Sequence, residues 1–251
     1  MLRVTGLGKV YGRGGDATVA IKSLSFEVRA NEFLSIVGPS GCGKTTLLKC
    51  AAGLMVPTSG EVVLDGRRVD GPMERMALVF QEYGRSLFPW MTVAQNVGFP
   101  LRRKRLDRRR QRQLVAESLQ AVALGDFAKR YPWQLSGGMQ QRVAIARALA
   151  YQPQIMLMDE PFASVDAQTR ADLEDLVLRV WTEFKVTVLF VTHDIDEAIY
   201  LGDRVLVLTP RPTEIKEVVQ VPLPRPRDQV ATKEEPAFAH LRAHVYRSIK
   251  G

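Results

Sequence analysis

The chain has 251 residues, which is enough for one large domain or for one core with a smaller subdomain. Hydrophobic residues make up 46% of the chain. No stretch of about 18 residues is apolar throughout, and the N-terminus lacks a signal-peptide pattern. We therefore expect no membrane span and a cytoplasmic location. The formal net charge of +8 is concentrated at residues 102–112, where eight basic side chains and one acid give +7, so the basicity is local.

The first third of the chain is predicted to be rich in β-structure. Strand-like runs at residues 18–21, 24–28 and 61–64 are separated by Gly, Asp and Asn. The run Phe33–Val37 is short and mostly apolar and ends at a glycine, which is typical of a buried strand. A helical pattern follows over residues 44–52.

The strongest motif lies between this strand and this helix. Residues 38–45 read GPSGCGKT and fit the phosphate-loop pattern G-x-x-x-x-G-K-[ST]. The glycines let the backbone curl so that several N–H groups face one phosphate cluster, and the positive end of the helix dipole adds to the attraction. We expect Lys44 to reach the β- and γ-phosphates and the Thr45 hydroxyl to bind Mg²⁺. The predicted phosphate-binding residues are Gly38, Pro39, Ser40, Gly41, Cys42, Gly43, Lys44, Thr45 and Thr46.

From about residue 83 the pattern becomes helical. Residues 115–124 have helical spacing, Pro132 interrupts the chain, and a second helix is expected over residues 139–150. The basic segment 102–112 is predicted to be the solvated face of a surface helix. Contact with nucleic acid or an anionic lipid surface is the alternative.

Strands and helices alternate in the last part of the chain. Residues 155–158 and 188–191 are apolar, as parallel strands buried on both faces should be, and residues 168–184 between them have helical periodicity. Residues 204–208 are another strand candidate. Prolines at positions 222, 224 and 226 indicate a linker before a terminal helix over residues 238–249.

Two carboxylates, Asp159 and Glu160, follow the apolar run 155–158. Asp159 would lie at the carboxyl end of the strand, where ligands bind in open α/β sheets, and would hold Mg²⁺ through water. Glu160 is then placed to orient and deprotonate the water that attacks the γ-phosphate. The motif therefore predicts nucleotide hydrolysis.

Residues 135–142 read LSGGMQQR and resemble the LSGGQ signature of ATP-binding-cassette (ABC) proteins, with Met139 in place of the usual Gln. The resemblance runs from about residue 2 to residue 210 and includes five motifs in family order. It implies an α/β fold, a P-loop NTPase core of the ABC type with an N-terminal antiparallel β subdomain and an inserted α-helical subdomain. The implied ABC ATPase domain covers residues 1–220, with the helical subdomain at about 83–150, and residues 221–251 form a Pro/Arg-rich linker and a short helix.

The same resemblance implies roles for further residues. Tyr11 looks like the aromatic residue that stacks on adenine, and Gln81 like the residue that links the γ-phosphate and Mg²⁺ to the helical insert. His193 is similar to the residue that contacts the γ-phosphate and holds the catalytic carboxylate and water in line. The implied catalytic residues are Glu160, His193 and Gln81, and the implied Mg²⁺ ligands are Thr45, Gln81 and Asp159.

The signature motif has a physical meaning of its own. Ser136 and the N–H groups of Gly137 and Gly138 precede a helix and form a second anion-binding helix N-terminus. The family resemblance implies that these residues and Asp166 face the nucleotide of a second subunit. We therefore expect an ATP-dependent head-to-tail homodimer.

Residues 87–93 (LFPWMTV) and 131–135 (YPWQL) resemble the nitrate, sulfonate and taurine importers. That branch implies ATP-driven import of a small anion, two membrane-spanning permease subunits, an extracytoplasmic binding protein that acts indirectly, and a peripheral position at the cytoplasmic face of the bacterial inner membrane. Phe88, Pro89 and Trp90 are the expected docking residues, because large apolar groups at a surface favour protein contact. Packing inside the helical insert is the other explanation for them.

Two other classes of function remain open. A cassette ATPase that acts on ribosomes or nucleic acid has only the basic segment 102–112 in its favour, and the chain lacks a second cassette or a long coiled-coil insert. We therefore expect no nucleic-acid partner. A nucleotide-binding regulator without hydrolysis is disfavoured by the presence of Glu160 and His193.

Overall fold

The computed structural model describes residues 1–12, 16–81 and 86–250. The strands in these residues are β1 (Leu2–Tyr11), β2 (Thr18–Val28), β3 (Phe33–Val37), β4 (Ser59–Leu64), β5 (Arg67–Arg68), β6 (Met76–Val79), β7 (Ile155–Asp159), β8 (Thr187–Val191), β9 (Arg204–Leu208) and β10 (Thr213–Gln220). The α-helices are α1 (Lys44–Ala51), α2 (Val93–Gly98), α3 (Arg108–Ala121), α4 (Gly137–Ala150), α5 (Ala167–Phe184), α6 (Ile195–Leu201), α7 (Ala231–Glu234) and α8 (Pro236–Lys250). Short 3₁₀ turns occur at Phe99–Arg103, Gly125–Phe127 and Pro132–Gln134.

The strands of the described residues lie in one sheet, in the order β5-β4-β1-β2-β10-β9-β3-β8-β7-β6. At one end, β5, β4, β1 and β2 pair in antiparallel fashion. At the other end, β9, β3, β8, β7 and β6 run parallel. Strand β10 joins the two parts, because it pairs parallel with β2 and antiparallel with β9.

The parallel strands contribute side chains to two separate cores. On one face, Met156, Met158 and Phe190 pack with apolar residues of α4, α5 and α6. On the other face, Ile155 and Leu157 pack with apolar residues of α1. Because successive side chains of a strand point to opposite faces, a strand buried on both faces is apolar throughout. The buried strands predicted at residues 155–158 and 188–191 are confirmed.

A helical segment follows β6 and precedes β7. It contains α2, α3 and α4 with the 3₁₀ turns between them, and its described residues include no strand. The expected start of this segment near residue 83 lies outside the described residues. With the antiparallel strands at the N-terminal end, this arrangement confirms an α/β fold that has a β part and a helical insert.

The predicted helix at residues 115–124 was wrong at both ends. Helix α3 begins seven residues earlier, at Arg108, because the Asp107 carboxylate caps it by accepting a hydrogen bond of 2.8 Å from the Arg110 N–H. The helix ends at Ala121, and Ala123 has a φ of 56°, a left-handed conformation that ends helices. The second half of the basic segment, residues 108–112, therefore lies at the start of α3.

The two strands predicted at residues 18–21 and 24–28 are one strand. Strand β2 runs through the polar residues Lys22 and Ser23 without a break. It pairs with β1 along its length, from Tyr11 opposite Thr18 to Leu2 opposite Val28. The pairing has register shifts between these two ends. Pairing with a long partner strand keeps these two polar residues in the strand.

The C-terminal segment packs back on the parallel part of the sheet. Helix α8 buries Phe238 and Val245 in the same core as Met156 and Phe190. This confirms the predicted terminal helix, which begins at Pro236. Across the described ranges, none of the helices combines the length and the apolar character that crossing a bilayer requires.

Candidate nucleotide-binding site

The loop at residues 38–43 connects β3 to α1 and exposes its backbone at the tip. Gly41 and Gly43 have φ values of 72° and 110°, a region that favours glycine, and α1 begins directly after them at Lys44. The Lys44 ammonium group is buried and donates to the carbonyl oxygens of Gly38, at 2.9 Å, and Pro39, at 3.2 Å. The loop therefore combines a helix N-terminus, a lysine and a curled backbone, which suits a phosphate group.

The carboxyl end of β7 lies beside this loop. Thr45 Oγ1 donates to Asp159 Oδ1 at 3.1 Å. Burial is the main cause that raises the pKa of Asp159, and the hydrogen bond from Thr45 opposes it. Glu160, the next residue, has a φ of 43°, and its N–H donates to the Val191 carbonyl oxygen of β8 at 2.8 Å. A left-handed conformation costs a non-glycine residue about 1 kcal/mol, and here it turns the Glu160 side chain out of the strand direction.

Three side chains from separate parts of the chain meet at the Glu160 carboxylate. His193 Nδ1 lies 2.9 Å from Glu160 Oε2, and Gln81 Nε2 donates to the same oxygen at 3.5 Å. Lys44 Nζ lies 3.8 Å from Glu160 Oε1. The carboxylate is thus held next to the phosphate loop with hydrogen-bonding groups on both oxygens. Such a group can accept a proton from a water molecule beside a phosphate.

The oxygen atoms of Thr45 and Asp159 are the nearest candidates for a metal ion. Across the residues described, no group of three or more His, Cys, Asp or Glu side chains is arranged to hold a metal ion. A hydroxyl next to a buried carboxylate instead fits Mg²⁺, which prefers oxygen ligands and usually takes the others from water and substrate phosphates. Gln81, the third predicted ligand, donates to Glu160, the residue after Asp159, at 3.5 Å.

Tyr11, at the end of β1, reaches the phosphate-loop helix. Its hydroxyl lies 3.1 Å from Thr46 Oγ1 and donates to the Met55 sulfur at 3.3 Å. The ring is 39% exposed, so one part of it remains open to a planar ligand. Since β1 is in the antiparallel part of the sheet, the structure brings an N-terminal aromatic residue to a loop that is 27 positions further along the chain.

The signature residues lie close to Asp166, apart from the contacts of the phosphate loop described above. Ser136 caps α4, because its Oγ accepts a hydrogen bond of 3.3 Å from the Met139 N–H. A Cβ atom at Gly138 would lie 2.4 Å from Cγ2 of Thr169, and Thr169 donates through its N–H and its hydroxyl to Asp166, at 2.9 and 2.7 Å. Those hydrogen bonds lower the pKa of Asp166. No hydrogen bond or ion pair in the described part of the chain joins Ser136, Gly137 or Gly138 to the phosphate loop.

Two residues near the site were missed by the sequence analysis. Arg170 Nη1 lies 3.2 Å from Asp194 Oδ2, and Arg170 Nε lies 3.6 Å from Glu197 Oε1. Glu197 Oε2 accepts a hydrogen bond of 2.6 Å from Thr192 Oγ1, next to His193. Arg170 and Glu197 each stand four residues after a motif residue, Asp166 or His193, so helical spacing from the motifs is the signal that would have found them.

The expected docking residues lie at the edge of the helical segment. The Phe88 ring is half-buried, with its centroid 4.6 Å from that of Phe99 and 5.5 Å from that of Trp90, and Trp90 is 70% exposed. We call Phe88, Trp90 and Phe99 the aromatic surface. Phe88 and Phe99 also line a groove of about 300 Å³ that reaches Leu78 of the edge strand β6. Phe88 therefore packs within the helical segment, whereas Trp90 is a surface residue, and docking at these residues stays a prediction.

The chain is similar in sequence to ABC transporter proteins. Residues 21–163 match the family described as ABC transporter. The chain is 51% identical over 249 residues to an uncharacterized ABC transporter ATP-binding protein of Methanocaldococcus jannaschii. The match covers 99% of this chain and 91% of the relative. It is 43% identical over 242 residues to an aliphatic sulfonates import ATP-binding protein of Bacillus licheniformis, which covers 96% of this chain and 91% of the relative.

A third relative is the nitrate import ATP-binding protein of Synechococcus elongatus, 44% identical over 232 residues, which span 91% of this chain and 35% of that longer protein. Among solved structures, the fold is similar to an ATP-binding cassette in a dimeric post-hydrolysis state bound to ADP and Pi. The TM-score is 0.75 at 34% sequence identity, and the match covers 88% of this chain and 99% of that one.

Proposed function

Since this chain belongs to the ABC transporter family and is an ATP-binding ATPase cassette, we propose that it energises the import of a small anion. Nitrate, an alkanesulfonate or taurine are the candidate substrates. Their support is the similarity to relatives that are named for nitrate and for aliphatic sulfonate import. None of the relatives described above is named for work on ribosomes or nucleic acid, so that alternative gains no support.

The observation that carries the catalytic proposal is the set of contacts at Glu160. We assign to its carboxylate the role of general base, which takes a proton from the water that attacks the γ-phosphate of ATP. His193 at 2.9 Å keeps the carboxylate in position, and Lys44 at 3.8 Å brings positive charge to the phosphate side. Gln81, at 3.5 Å, connects this centre to the chain that leads into the helical segment. The phosphate loop binds and orients the nucleotide.

Mg²⁺ is part of the proposal. Thr45, Asp159 and Gln81 would hold the ion, which when bound neutralises charge on the β- and γ-phosphates. Burial raises the pKa of the Asp159 carboxyl group and so disfavours its charged form. A cation beside Asp159 would favour the charged form. Tyr11 would stack on adenine through the exposed part of its ring.

The quaternary proposal is an ATP-dependent homodimer in head-to-tail arrangement. Ser136, Gly137, Gly138 and Asp166 would meet the nucleotide held by the phosphate loop of the partner. Within one chain these residues make no hydrogen bond to the described phosphate loop, and Ser136 and Gly137 are exposed. A similar cassette of known structure is dimeric, which also supports this arrangement.

The membrane partners complete the proposal. Two membrane-spanning permease subunits would dock on the aromatic surface beside Pro89, and an extracytoplasmic binding protein would act through them. The chain would then lie at the cytoplasmic face of a bacterial inner membrane. An exposed Trp90 next to a groove fits a short amphipathic helix of the permease.

Glu160→Gln tests the catalytic role. The amide keeps the shape of the side chain but cannot act as a base, so steady-state ATP hydrolysis should fall by about 10²–10⁴-fold. ATP binding should persist, and the variant should accumulate as a dimer with trapped ATP. The measurements are phosphate release, equilibrium nucleotide binding and size-exclusion chromatography with ATP.

Glu183→Gln is the matched control, because Glu183 is exposed at the end of α5. We expect this control to hydrolyse ATP like the unmodified chain. Turnover of the Glu160 variant close to that of the control would show that another group is the base.

A further inference from the structure

The basic segment 102–112 forms an exposed cationic surface. It runs from the last two residues of the 3₁₀ turn Phe99–Arg103 to the start of α3. Six of its eight basic side chains are exposed, and these define what we call the basic surface: Arg102, Arg103, Arg105, Arg108, Arg109 and Arg112. The remaining two are partly buried.

Few carboxylates compensate this charge. Within the residues that the structure describes, the one ion pair of the segment joins Arg110 to Glu117, at 4.0 Å. The only acid of the segment, Asp107, accepts the N-terminal hydrogen bond of α3 and has no ion-pair partner there. Lys104 turns inward, where its ammonium group donates to the Tyr151 carbonyl oxygen and lies 4.2 Å from the ring centroid. The charge of the basic surface is therefore open to an external anion.

The first turn of α3 carries positive charges that the helix dipole disfavours, and the capping Asp107 is the one acid at this end. Helix α3 has arginines at its first three positions and no acid in its first turn, although the positive end of the helix dipole favours acidic residues there. A sequence that departs from a local rule without an internal gain often does so at a binding surface. An anion that contacts this end of α3 would turn the unfavourable charges into a favourable interaction.

The shape of the basic surface offers a place for such an anion. Arg102, Arg108 and Arg112 line a wide, open cleft of about 1050 Å³ between α2 and α3. Asp126 is the single acid on its wall, and glutamines such as Gln95 supply hydrogen-bonding groups. A phosphate or phosphodiester group can bind arginine in a bidentate manner, so the cleft suits a headgroup of that chemistry.

The basic surface is continuous with the aromatic surface. The Arg102 guanidinium lies 5.4 Å from the centroid of Phe99, which in turn packs on Phe88. Where the aromatic surface contacts a membrane subunit, the adjacent arginines come close to the bilayer that surrounds this subunit. We propose that the basic surface binds anionic phospholipid headgroups, which rests on the proposed docking of the chain on membrane subunits.

A bilayer fits these observations better than a nucleic acid does. The charge of +7 lies in 11 consecutive residues, and the whole chain carries only +8, so no basic track continues across the molecule. A compact patch is suited to a flat anionic surface, whereas a nucleic acid strand is bound along a longer positively charged path, with aromatic rings between the charges. Among the described residues, Phe99 is the one ring that has an arginine of the basic surface over its face.

The test is binding of the purified full chain to vesicles of phosphatidylglycerol and phosphatidylcholine in equal parts, compared with phosphatidylcholine alone. We expect binding to the anionic vesicles that weakens with added salt. The triple variant Arg105→Gln, Arg108→Gln and Arg109→Gln should bind these vesicles roughly a hundredfold more weakly, because each basic residue near an anionic bilayer contributes about fivefold. Its basal ATP hydrolysis should remain normal.

A matched control removes the same charge elsewhere. Arg29, Arg67 and Lys216 are exposed, lie in the β part of the chain, and take part in no ion pair of the described residues. The triple variant at these positions should keep vesicle binding within about threefold of the unmodified chain. Equal loss in both triple variants would mean that net charge alone is responsible, and it would overturn the proposal.

Two further outcomes would also contradict lipid binding. One is equal binding to both kinds of vesicle. The other is tighter binding to an RNA or DNA oligonucleotide at the same ionic strength, lost in the Arg105, Arg108 and Arg109 variant, which would assign the surface to nucleic acid. Vesicle binding is measured without ATP, so its result is independent of the Glu160→Gln experiment. Failure of the proposed ATPase mechanism is therefore distinguishable from failure of the proposed lipid binding.

Discussion

Glu197 is a buried carboxyl group next to the loop at the end of β8. Its side chain accepts a hydrogen bond from Thr192 and lies close to Arg170. Burial is the largest cause of its raised pKa, about 7, and the negative charges of Asp194 and Glu174 act in the same direction. The hydrogen bond from Thr192 and the charge of Arg170 lower the pKa but do not outweigh burial.

The stability of the protein should therefore depend on pH through Glu197. Folding favours the protonated carboxyl group, so this contribution is complete below the unfolded value of 4.5 and is lost as the pH rises through about 7. Glu197→Gln resembles the protonated form and should raise the free energy of unfolding by about 1–3 kcal/mol near pH 8 while changing it little near pH 5. Urea unfolding at both pH values measures the difference.

The exposed Glu183 provides the comparison. Glu183→Gln should shift the free energy of unfolding by less than about 0.5 kcal/mol at either pH. If Glu197→Gln instead destabilises the protein equally at both pH values, then Glu197 is ionised throughout and its ion pair with Arg170 outweighs burial.

At the scale of elements, Arg170 joins two helices that begin at motif residues. Helix α5 begins after Asp166, and the Arg170 N–H donates to the Asp166 carbonyl oxygen at 2.9 Å. Helix α6 begins after Asp194, which the Arg170 guanidinium binds at 3.2 Å. His193 immediately precedes Asp194, so Arg170 fixes the loop of His193 relative to the start of α5.

We predict that Arg170→Met loosens this loop. The methionine keeps an apolar stem but leaves Asp194 and Glu197 without their cation, so His193 should hold the Glu160 carboxylate less firmly. The kcat for ATP hydrolysis should fall about tenfold, with little change in the KM for ATP, because the phosphate loop is untouched. Steady-state kinetics over a range of ATP concentrations separates the two parameters.

Two variants support the interpretation. Arg179→Met changes an exposed arginine of the same helix and should leave kcat unchanged. Arg170→Lys keeps the positive charge and should restore part of the lost rate. A rise in KM at constant kcat would instead indicate that Arg170 affects nucleotide binding and not the position of His193.

At the scale of the whole molecule, the aromatic surface is the proposed connection to the permease. Trp90→Ala removes an exposed ring, and truncation of such an anchor at an interface often costs more than about 2 kcal/mol. ATP hydrolysis by the isolated subunit should stay within about twofold, whereas transport in reconstituted vesicles should fall by at least about tenfold. Both assays are made on one preparation.

Phe88→Ala is a weaker test by itself, because Phe88 also packs on Phe99 and its loss would disturb the fold. Combined with Trp90→Ala it should abolish coupling or assembly. Tyr246→Ala, which removes a 49% exposed ring from α8, is the control and should leave transport intact. Normal transport by a stable Trp90 variant would refute docking at the aromatic surface.

Much of the fold followed from local patterns. The buried parallel strands, the phosphate loop and the terminal helix could be predicted because apolar runs, glycines and proline depend on neighbours in the chain. The pairing of β10 with β2 could not, since it joins residues almost 200 positions apart, Thr213 and Ile21, and nothing local in residues 213–220 indicates it. The start of α3 at Arg108 was not predicted for another reason, because residues 102–112 were expected to lie on a surface helix throughout and the capping residue Asp107 stands within this run of arginines.

The sequence by itself determined which residues are candidates for the chemistry, because a phosphate loop and an acidic strand end are short motifs with a fixed order of residue types. The family resemblance implied that His193 holds the Glu160 carboxylate, but only the tertiary structure decided that Gln81 and Lys44 meet at the same carboxylate. These residues come from four separate segments that the parallel sheet brings together. Contacts of this kind depend on strand order and on the direction of each strand end. Neither is encoded in the spacing of residues along the chain.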